Sequence, residues 1–290
     1  MKLRRRFFCS AAITLALLLT LLHFSPVMAE EKIPDLRFYA FDVGQGDSFF
    51  FVFPNGQTML IDAGPESGVK NVVRFLRDAA VKKIDVVVAT HPHSDHIGGM
   101  PQILRRFAVG EIWDSGFAHG SPEQIAFYNA IKKKNIPFGK PKAGYRRMFG
   151  DVCVEVIGPK IEIKGTKGDA NNNSIILLVT YKDVSFLMTA DMDAEQRASL
   201  SPLPKATLLK MPHHGSAKGT DMRMMRDVSP FAVVFSYAQG NSYGHPHKEV
   251  LDILRKMPKI KRFDTVGGTL KFRTDGKQLT YPGERAINTK

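Results

Sequence analysis

Apolar runs near the start of the chain predict short strands. Arg37 to Val43, Asp47 to Phe53 and Thr58 to Asp62 are rich in β-branched and aromatic residues, a composition typical of strands. The tetrapeptide Pro54-Asn55-Gly56-Gln57 separates the second run from the third. Because Asn-Gly between two apolar strands is a strong hairpin signature, the pattern predicts a β-hairpin here.

The rest of the chain alternates between helical and extended patterns. The three- and four-residue spacing of apolar residues from Val69 to Ala80 predicts an amphipathic helix, and Ile84 to Ala89 then has the character of a buried strand. Further helices are expected at Ile125 to Ile131, Ala194 to Leu200 and Lys248 to Met257. Further strands are expected at Val152 to Ile157, Ser174 to Tyr181, Val184 to Thr189, Thr207 to Met211, Phe231 to Ser236, Arg262 to Val266, Thr269 to Phe272 and Gln278 to Tyr281.

The order of these elements indicates the fold class. Strands adjoin each other near the start of each half, and helices follow them. This order predicts an α/β (α+β) fold of two mixed sheets packed together and flanked by helices, rather than a doubly wound parallel sheet. No low-complexity linker divides the halves, so a single domain over residues 30–290 is expected.

Residues 1–29 have the pattern of a secretory signal peptide. A basic start is followed by an apolar stretch from Phe7 to Leu22, and small residues precede the polar segment that begins at Glu30. We expect cleavage after Ala29 and a mature protein outside the cytoplasm, in the envelope or exterior of a bacterial cell. An uncleaved membrane anchor is the alternative, because the apolar run is near the lower length limit for spanning a bilayer.

Composition narrows the class of protein further. With 43% hydrophobic and 24% charged residues, the chain is neither disordered nor a polytopic membrane protein. Two cysteines exclude a disulfide scaffold and a cysteine-rich zinc ribbon. The formal charge is +13, and loss of the first 29 residues removes four basic residues and no acid, which leaves +9.

The positive charge favours a polyanionic partner such as DNA. Solvated faces, or tethers to an anionic cell surface, explain the same charge nearly as well. The basic clusters are Lys132 to Lys134, Lys140 to Lys142, Arg146-Arg147, Lys160 to Lys167 and Arg255 to Arg262.

A histidine cluster follows the buried strand that ends at Ala89. The segment from His91 to His96 holds three imidazoles and a carboxylate within six residues, and buried polar groups at that density need partners. Metal ions would provide them. Alternation of an extended chain lets His91 and His93 face one cation, while Asp95 and His96 would face a second. Neutral imidazole suits zinc, manganese or iron.

The motif His-x-His-x-Asp-His at His91 to His96 resembles the signature of the metallo-β-lactamase superfamily. Further motifs are similar, in order, to one branch, the extracellular hydrolase domain of DNA-uptake channel proteins in competent bacteria (the ComEC type). They are Asp42 to Ser48, Ile61 to Gly64, Asn172 to Ser174, Thr189 to Asp191, Pro212 to Ser216 and Tyr243 to His247. The resemblance extends from Leu36 to about Phe272, and it implies an αββα sandwich that carries two divalent metal ions, zinc or manganese, at one edge.

The resemblance also implies roles for individual residues. Asp191 takes the place of the carboxylate that bridges both metals, and His91 and His93 would hold the first ion. Asp95, His96 and His214 would hold the second. His213 is the weaker candidate for a metal ligand, because adjacent residues on a strand end point apart, but it could protonate a leaving group. The expected catalytic residues are therefore Asp95 and His213, together with His245 of the later motif.

Asn171 to Ser174 departs from the pattern of the β-lactam-hydrolysing enzymes. Those enzymes have a third histidine for the first metal in this region, whereas this chain has three asparagines. Asparagine is a weak ligand, so the first metal should be under-coordinated and open to water or phosphate oxygen. This argues against a β-lactamase and leaves hydrolysis possible.

Other polar residues near these motifs have structural explanations as well as functional ones. Asp62 is expected to brace the metal-binding loop through hydrogen bonds rather than to bind metal. Asp47 is either an orienting residue or a turn cap. His245 and His247 could shape the mouth of the site or bind phosphate, and for His247 a position at the start of a helix is the simpler explanation.

The expected activity is that of a secreted phosphodiesterase, most simply a nuclease acting on extracellular DNA through a metal-activated hydroxide. No Gly-x-Ser-x-Gly or His-Glu-x-x-His motif is present, which disfavours a serine hydrolase or a zinc peptidase. Two alternatives stay open: an esterase for small substrates such as phosphocholine groups of the cell wall, and a non-catalytic polyanion-binding module. No stable protein partner is expected.

Overall fold

Residues 35–281 are described by a computed structural model. The predicted signal peptide, residues 1–29, lies outside the described residues, as do residues 282–290. Within the described range no helix is long and apolar enough to cross a membrane.

Two β-sheets form the centre of the fold. The first contains β1 (Leu36–Ala40), β2 (Phe49–Val52), β3 (Thr58–Ile61), β4 (Lys83–Ala89), β5 (Ala108–Asp114), β6 (Phe138–Gly139), β14 (Leu270–Thr274) and β15 (Leu279–Thr280). The second contains β7 (Arg146–Phe149), β8 (Val152–Gly158), β9 (Ile176–Tyr181), β10 (Val184–Met188), β11 (Leu208–Lys210), β12 (Ala232–Phe235) and β13 (Lys261–Asp264).

Both sheets mix parallel and antiparallel pairing, as the sequence predicted. The strand order is β15-β14-β1-β2-β3-β4-β5-β6 in the first sheet and β13-β12-β11-β10-β9-β8-β7 in the second. In each sheet three successive pairs are parallel: β3 to β6 in the first and β10 to β13 in the second. Parallel strands end at the same edge, so the loops that follow them can build one site.

Helices cover the outer face of each sheet, which confirms the predicted α+β arrangement. They are α1 (Val69–Asp78), α2 (Ser94–Ile97), α3 (Met100–Arg106), α4 (Pro122–Lys134), α5 (Asp169–Asn172), α6 (Ala194–Leu200), α7 (Met222–Val228) and α8 (Lys248–Arg255). The apolar side of α1, including Val72 and Leu76, packs with Leu60 and Val87 of the first sheet. A separate cluster joins Leu254 of α8 to the outer face of the second sheet.

The predicted hairpin is present, and several elements were missed. β2 and β3 pair antiparallel across the Asn-Gly turn, in which Gly56 adopts φ +83°, a conformation that glycine adopts without steric cost. β5 escaped prediction because Ala-Val-Gly-Glu-Ile-Trp-Asp lacks a continuous apolar run. The short helices α3 and α7 were also missed, and the predicted strands proved one to three residues too long at several ends.

Phenylalanine rings fill the space between the sheets. The ring of Phe38 lies 4.7 Å from Phe51 and 5.7 Å from Phe272 in its own sheet, and 5.3 Å from Phe186 in the second sheet. All four side chains are buried. Since packed aromatic rings contribute both area burial and ring–ring attraction, this cluster holds the sheets in register and thereby fixes the relative position of their loops.

We therefore expect Phe38→Ala to lower the free energy of unfolding by about 3–5 kcal/mol, measured by urea denaturation. The matched control is Phe231→Ala, because Phe231 is 43% exposed, and its loss should cost less than about 1 kcal/mol. Equal losses for the two variants would contradict the assignment of Phe38 to the inter-sheet core.

Candidate metal centre

The predicted site residues come together at the edge where the parallel strands end. They lie in loops or short helices after β4 (His91, His93, Asp95 and His96), after β10 (Asp191), after β11 (His213 and His214) and before α8 (His245). Residues separated by more than a hundred positions in the chain thus become neighbours. The two sheets supply opposite sides of one cluster.

Four of these residues form a compact group on the buried side. The Nε2 atom of His214 is 3.3 Å from Oδ2 of Asp95 and 3.4 Å from Oδ2 of Asp191. The Nε2 atom of His96 is 3.3 Å from Oδ1 of Asp191. Since one potential ligand atom from each residue lies within 4.8 Å of all the others, the group can surround a single ion.

A second group shares Asp191 with the first. The Nε2 atom of His91 is 3.1 Å from Nδ1 of His93 and 3.8 Å from Oδ2 of Asp191, and the three ligand atoms lie within 4.8 Å of one another. Asp191 therefore stands between the two groups, which is the position expected of a bridging carboxylate. This fold with its two His/Asp groups is suited to divalent metal ions.

Buried polar atoms test whether metal ions fit these residues. His96 Nε2, His214 Nε2 and Asp191 Oδ1 are buried without a hydrogen-bond partner among residues 35–281. An unpaired polar atom in a desolvated position is costly, and here three such atoms converge. A cation bound among them would satisfy all three, so the residues present fit a metal ion.

Hydrogen bonds on the far side of each ring orient the imidazoles. His96 Nδ1 is 2.7 Å from Oδ2 of Asp62, and His214 Nδ1 is 2.8 Å from the carbonyl oxygen of Ser236. In neutral imidazoles these contacts place the proton on Nδ1 and leave the Nε2 lone pair facing the cluster. The position of Asp62 agrees with its interpretation as a brace, because it also accepts hydrogen bonds from the backbone N–H and hydroxyl of Thr90.

Asp47 takes part in the same support. Its Oδ1 lies 3.3 Å from Nδ1 of His214, and its backbone N–H donates to the carbonyl oxygen of Asp95 at 3.1 Å. The preceding Gly46 has φ +136°, and a Cβ atom there would lie 2.1 Å from that same carbonyl. Glycine is therefore needed for the close approach of this loop to the histidine loop.

Lys210 was missed by the sequence interpretation. It is fully buried at the end of β11, and its Nζ lies 2.6 Å from Oδ2 of Asp47, 3.7 Å from Oδ1 of Asp191 and 2.7 Å from the carbonyl oxygen of Ala190. A lysine is almost never fully buried unless it is paired. The sequence signal that could have identified its buried role is its position directly after Leu208-Leu209 in a predicted strand.

His213 and His214 lie in a 3₁₀ turn, Pro212–Gly215, and not on a strand end as assumed above. Both have left-handed backbones, with φ +47° and +56°, which non-glycine residues rarely adopt. The turn brings both rings to the same carboxylate: Nε2 of His213 is 3.6 Å from Oδ2 of Asp191, close to the 3.4 Å of His214. The premise that the two residues lie on a strand end was wrong, and the ranking of His214 ahead of His213 as a metal ligand stays a prediction.

His213 is held by Asp193, a second residue that sequence reasoning missed. Its Nδ1 lies 2.8 Å from Oδ1 of Asp193, and Asn171 approaches both of these side chains at 3.4–3.5 Å. Of the three asparagines, Asn171 alone lines the cavity beside the metal centre. Asn172 and Asn173 instead bind neighbouring loops through their side-chain amides.

His245 and Tyr243 form the mouth of the cavity. The ring of His245 lies 5.5 Å from that of His213 in an edge-on arrangement, and Tyr243, 64% exposed, stacks on His245 at 5.6 Å. His247 does not line the cavity. It precedes α8, where its Nδ1 accepts a hydrogen bond from the backbone of Ala217, which agrees with the simpler of its two interpretations.

The cluster is strongly anionic in the absence of cations. Burial alone would lower the pKa of His96, but the carboxylates of Asp191 and Asp62 outweigh burial and hold this pKa well above its usual range. The pKa of His214 is raised in the same way by Asp191 and Asp47. Burial and the nearby histidines lower the pKa of His245 to about 4, so this residue is neutral near pH 7.

Comparisons with known proteins agree with this geometry. A model of the metallo-beta-lactamase superfamily matches residues 41–236. ComE operon protein 3 of Bacillus subtilis is 27% identical over 90% of this chain and 35% of its own length. Competence protein ComA of Neisseria gonorrhoeae is 30% identical over 80% of this chain and 31% of its own length. The chain thus spans about a third of the length of these relatives.

Solved structures show the same fold at low sequence identity. The metallo-beta-lactamase fold protein YhfI of Bacillus subtilis superposes with a TM-score of 0.55, covering 82% of this chain and 100% of YhfI at 12% identity. At this identity the likeness concerns the fold alone.

We predict that Lys210→Met lowers the free energy of unfolding by about 3–5 kcal/mol, because it leaves the buried carboxylate of Asp47 without its cation. Adding Asp47→Asn to this variant should recover at least half of the loss, since the carboxylate that Lys210 pairs with most closely is then neutral. Lys271→Met removes an exposed lysine and serves as the control in the same urea experiment. A loss for Lys210→Met no larger than that of the control would exclude the pairing role.

Proposed function

The chain belongs to the metallo-β-lactamase superfamily and is a metal-dependent hydrolase, and from this premise we propose that it is a secreted phosphodiesterase that cleaves DNA outside the cell. The observation that carries the proposal is the convergence of two His/Asp groups on Asp191, with unpartnered ligand atoms facing inward. Paired metal sites of this kind suit phosphodiesters, because two cations offset the charge on a phosphoryl group.

A cavity that reaches both ligand groups supports a phosphoryl substrate. It has a volume of about 360 Å³ and is lined by His93 of one group, by Asp95 and His214 of the other, and by the shared Asp191. Asn171 lines the same cavity, where the β-lactam-hydrolysing enzymes have a histidine. The cavity therefore has room for an oxygen atom of water or phosphate beside both groups.

The positive charge of the chain and the names of two similar proteins support DNA as the substrate. The sequence carries a formal charge of +13, and lysine and arginine side chains neutralise phosphates whatever the base sequence. Two of the similar proteins are named for the ComE operon and for competence. An extracellular place of action rests on the pattern of residues 1–29.

Bound divalent ions would supply a coordinated water of lowered pKa and would neutralise charge on the phosphoryl group. The chain's own residues orient the reactants. In hydrolysis the oxygen of water bonds to phosphorus and releases a proton to solvent, the bond to the leaving oxygen breaks, and the leaving oxygen takes up a proton from the protein. His213 is placed to give that proton from Nε2, because Asp193 holds its Nδ1 and turns the ring toward the cavity.

His245 is suited to positioning the substrate. It lies beside His213 at the cavity mouth, and Tyr243 restrains its ring by stacking. Its Nδ1 has no hydrogen-bond partner in the described part of the chain. As a neutral imidazole it can accept or donate a hydrogen bond to a substrate group without adding charge.

The proposal predicts metal-dependent cleavage of single- or double-stranded DNA by the purified chain supplied with Mn²⁺ or Zn²⁺, read on gels. Chelation should abolish cleavage, and His91→Ala or Asp191→Ala should reduce the rate by about 100-fold or more, since loss of a ligand exceeds the 10- to 100-fold cost of losing its supporting residue. The control is Asp183→Ala, an exposed aspartate between β9 and β10, which should cleave like the parent.

Two other results would redirect the assignment. Turnover of small phosphodiesters with DNA untouched would favour the cell-wall esterase. Retained DNA binding with no hydrolysis at any metal content would favour a polyanion-binding module.

Substrates with different leaving groups distinguish proton donation by His213 from metal binding by His213. We expect His213→Ala to lower kcat on DNA by about 10²- to 10⁴-fold, the usual contribution of a proton donor. On bis(p-nitrophenyl) phosphate, whose leaving group departs without a proton, the loss should be less than about tenfold. Elemental analysis completes the test: if the variant binds fewer metal ions than the parent, His213 is a ligand and not the proton donor.

A further inference from the structure

Two adjoining depressions, here called the edge groove, lie at the edge of the first sheet beyond the metal centre. One is lined by Tyr128, Ile131, Lys132, Phe138 and Lys140, and the other by Trp113, Gly139, Lys140, Pro141, Lys142, Ala143 and Tyr145. The first depression lies on the helix-covered face of the edge strand β6, where Phe138 pairs with Ile112, and the second lies on the face toward the other sheet, where Gly139 pairs with Trp113. The two depressions meet at Lys140, which lines both. None of these residues lines the metal-centre cavity.

The edge groove begins close to the metal centre. Strand β5 pairs in parallel with β4, placing Asp114 opposite Ala89, two residues before His91. Strand β6 pairs next to β5, with Gly139 of the groove opposite Trp113. Two strand spacings amount to about 10 Å, a distance that an extended polymer bound at the metal centre would cross within its next units.

Hydrogen bonds connect the wall of the cavity to the wall of the groove. Gln124, buried at the start of α4, accepts from the backbone N–H groups of His119 and Gly120 and donates to the hydroxyl of Tyr128. Tyr128 in turn donates to Asp114 at 3.1 Å. The ring of His119 lies 5.4 Å from that of His93. Cavity and groove therefore share one hydrogen-bonded wall, which suits them to bind one ligand together.

The groove combines exposed aromatic rings with lysines that form no ion pairs. Phe138 is 41% and Tyr145 42% exposed, and Tyr145 is held edge-on against Trp113 at 5.3 Å. Among the described residues, Lys140 and Lys142 have no carboxylate within salt-bridge distance, as the salt bridges in residues 35–281 show.

Two nearby arginines, unlike these lysines, form ion pairs. Arg146 and Arg147 lie on β7, just beyond Tyr145, and pair with Glu155 and Glu111. Their charges are already balanced within the protein. The lysines that line the groove are in no such ion pair, and Asp114 interacts with Lys140 only at longer range, which marks the groove as the anion-binding part of the edge.

We propose that the edge groove binds single-stranded DNA next to the metal centre: the strand passes over the edge of the sheet at β6, with bases stacked on Phe138 and Tyr145 and phosphates near Lys140 and Lys142. Alternating aromatic and basic side chains are the usual means of holding unpaired strands. This inference rests on the proposed function, since it names the form of DNA presented to that site. A duplex hides the faces of its bases, so the rings favour an unpaired strand.

The test is fluorescence anisotropy of a labelled 20-nucleotide single strand and of the matching duplex, both with phosphorothioate linkages that resist cleavage, with the metal-loaded full chain. Phe138→Ala/Tyr145→Ala should weaken single-strand binding by about tenfold or more, the loss expected for two stacked bases, and duplex binding by less than threefold. Lys140→Ala/Lys142→Ala should reduce the slope of log K against log salt by about 1.4.

Control variants separate the groove from general effects. Tyr145→Phe keeps the ring and its contact with Trp113 and should bind like the parent, while Lys271→Ala/Lys277→Ala removes two exposed lysines elsewhere on the described surface. Unchanged single-strand affinity in the groove variants, or an equal loss in the distant lysine pair, would overturn the inference.

A second readout separates this inference from the proposed function. Hydrolysis of bis(p-nitrophenyl) phosphate by the metal-loaded groove variants should match the parent, because so small a substrate does not reach the groove. Absence of all DNA cleavage by the parent would defeat the nuclease proposal, whereas the anisotropy result would still decide whether the groove binds DNA.

Discussion

The structure depends on the balance of charge around three buried carboxylates, here called the cage. Asp47, Asp62 and Asp191 are each at most 1% exposed and lie around two buried imidazoles. Lys210 supplies one positive charge to this cage, and the remaining balance must come from protons on the histidines, from a proton on Asp62, whose pKa burial raises, or from metal ions. The raised pKa values of His96 and His214 show the same demand. Metal ions bound here would therefore replace protons that the cage otherwise retains.

The backbone near the cage is strained at several residues. Asp62, Ala190, His213 and His214 all have positive φ values between +45° and +56°, and such conformations persist only where the surroundings enforce them. The surroundings are two sheets joined by the phenylalanine cluster of Phe38, which fixes the ends of β3, β10 and β11 relative to one another. Rigid packing between the sheets thus positions ligands that their local sequences would not position alone.

Features encoded by one continuous stretch of sequence were predicted, whereas features that depend on residues far apart in the chain were not. The hairpin, the helix from Val69 and the histidine cluster were found because each signature is contiguous. Asp191 was assigned only through its resemblance to a family motif, since nothing local distinguishes one aspartate after a strand from another. Lys210 and Asp193 were missed because their roles depend on partners far away in the chain: Asp47 is 163 positions before Lys210, and Asp193 reaches His213 through a turn whose left-handed backbone no pattern indicates.

The lining of the cavity links the cage to the edge groove. The cavity reaches Asp191 and His214 as well as His93, and His93 lies next to His119, on the side where α4 begins. If the proposed function and the edge groove both hold, a DNA strand would meet the centre from the side that Gln124 and Tyr128 join to the groove. Asn171 in place of a third histidine would then have a physical purpose: it would leave coordination room at the cavity where the scissile phosphate of that strand arrives.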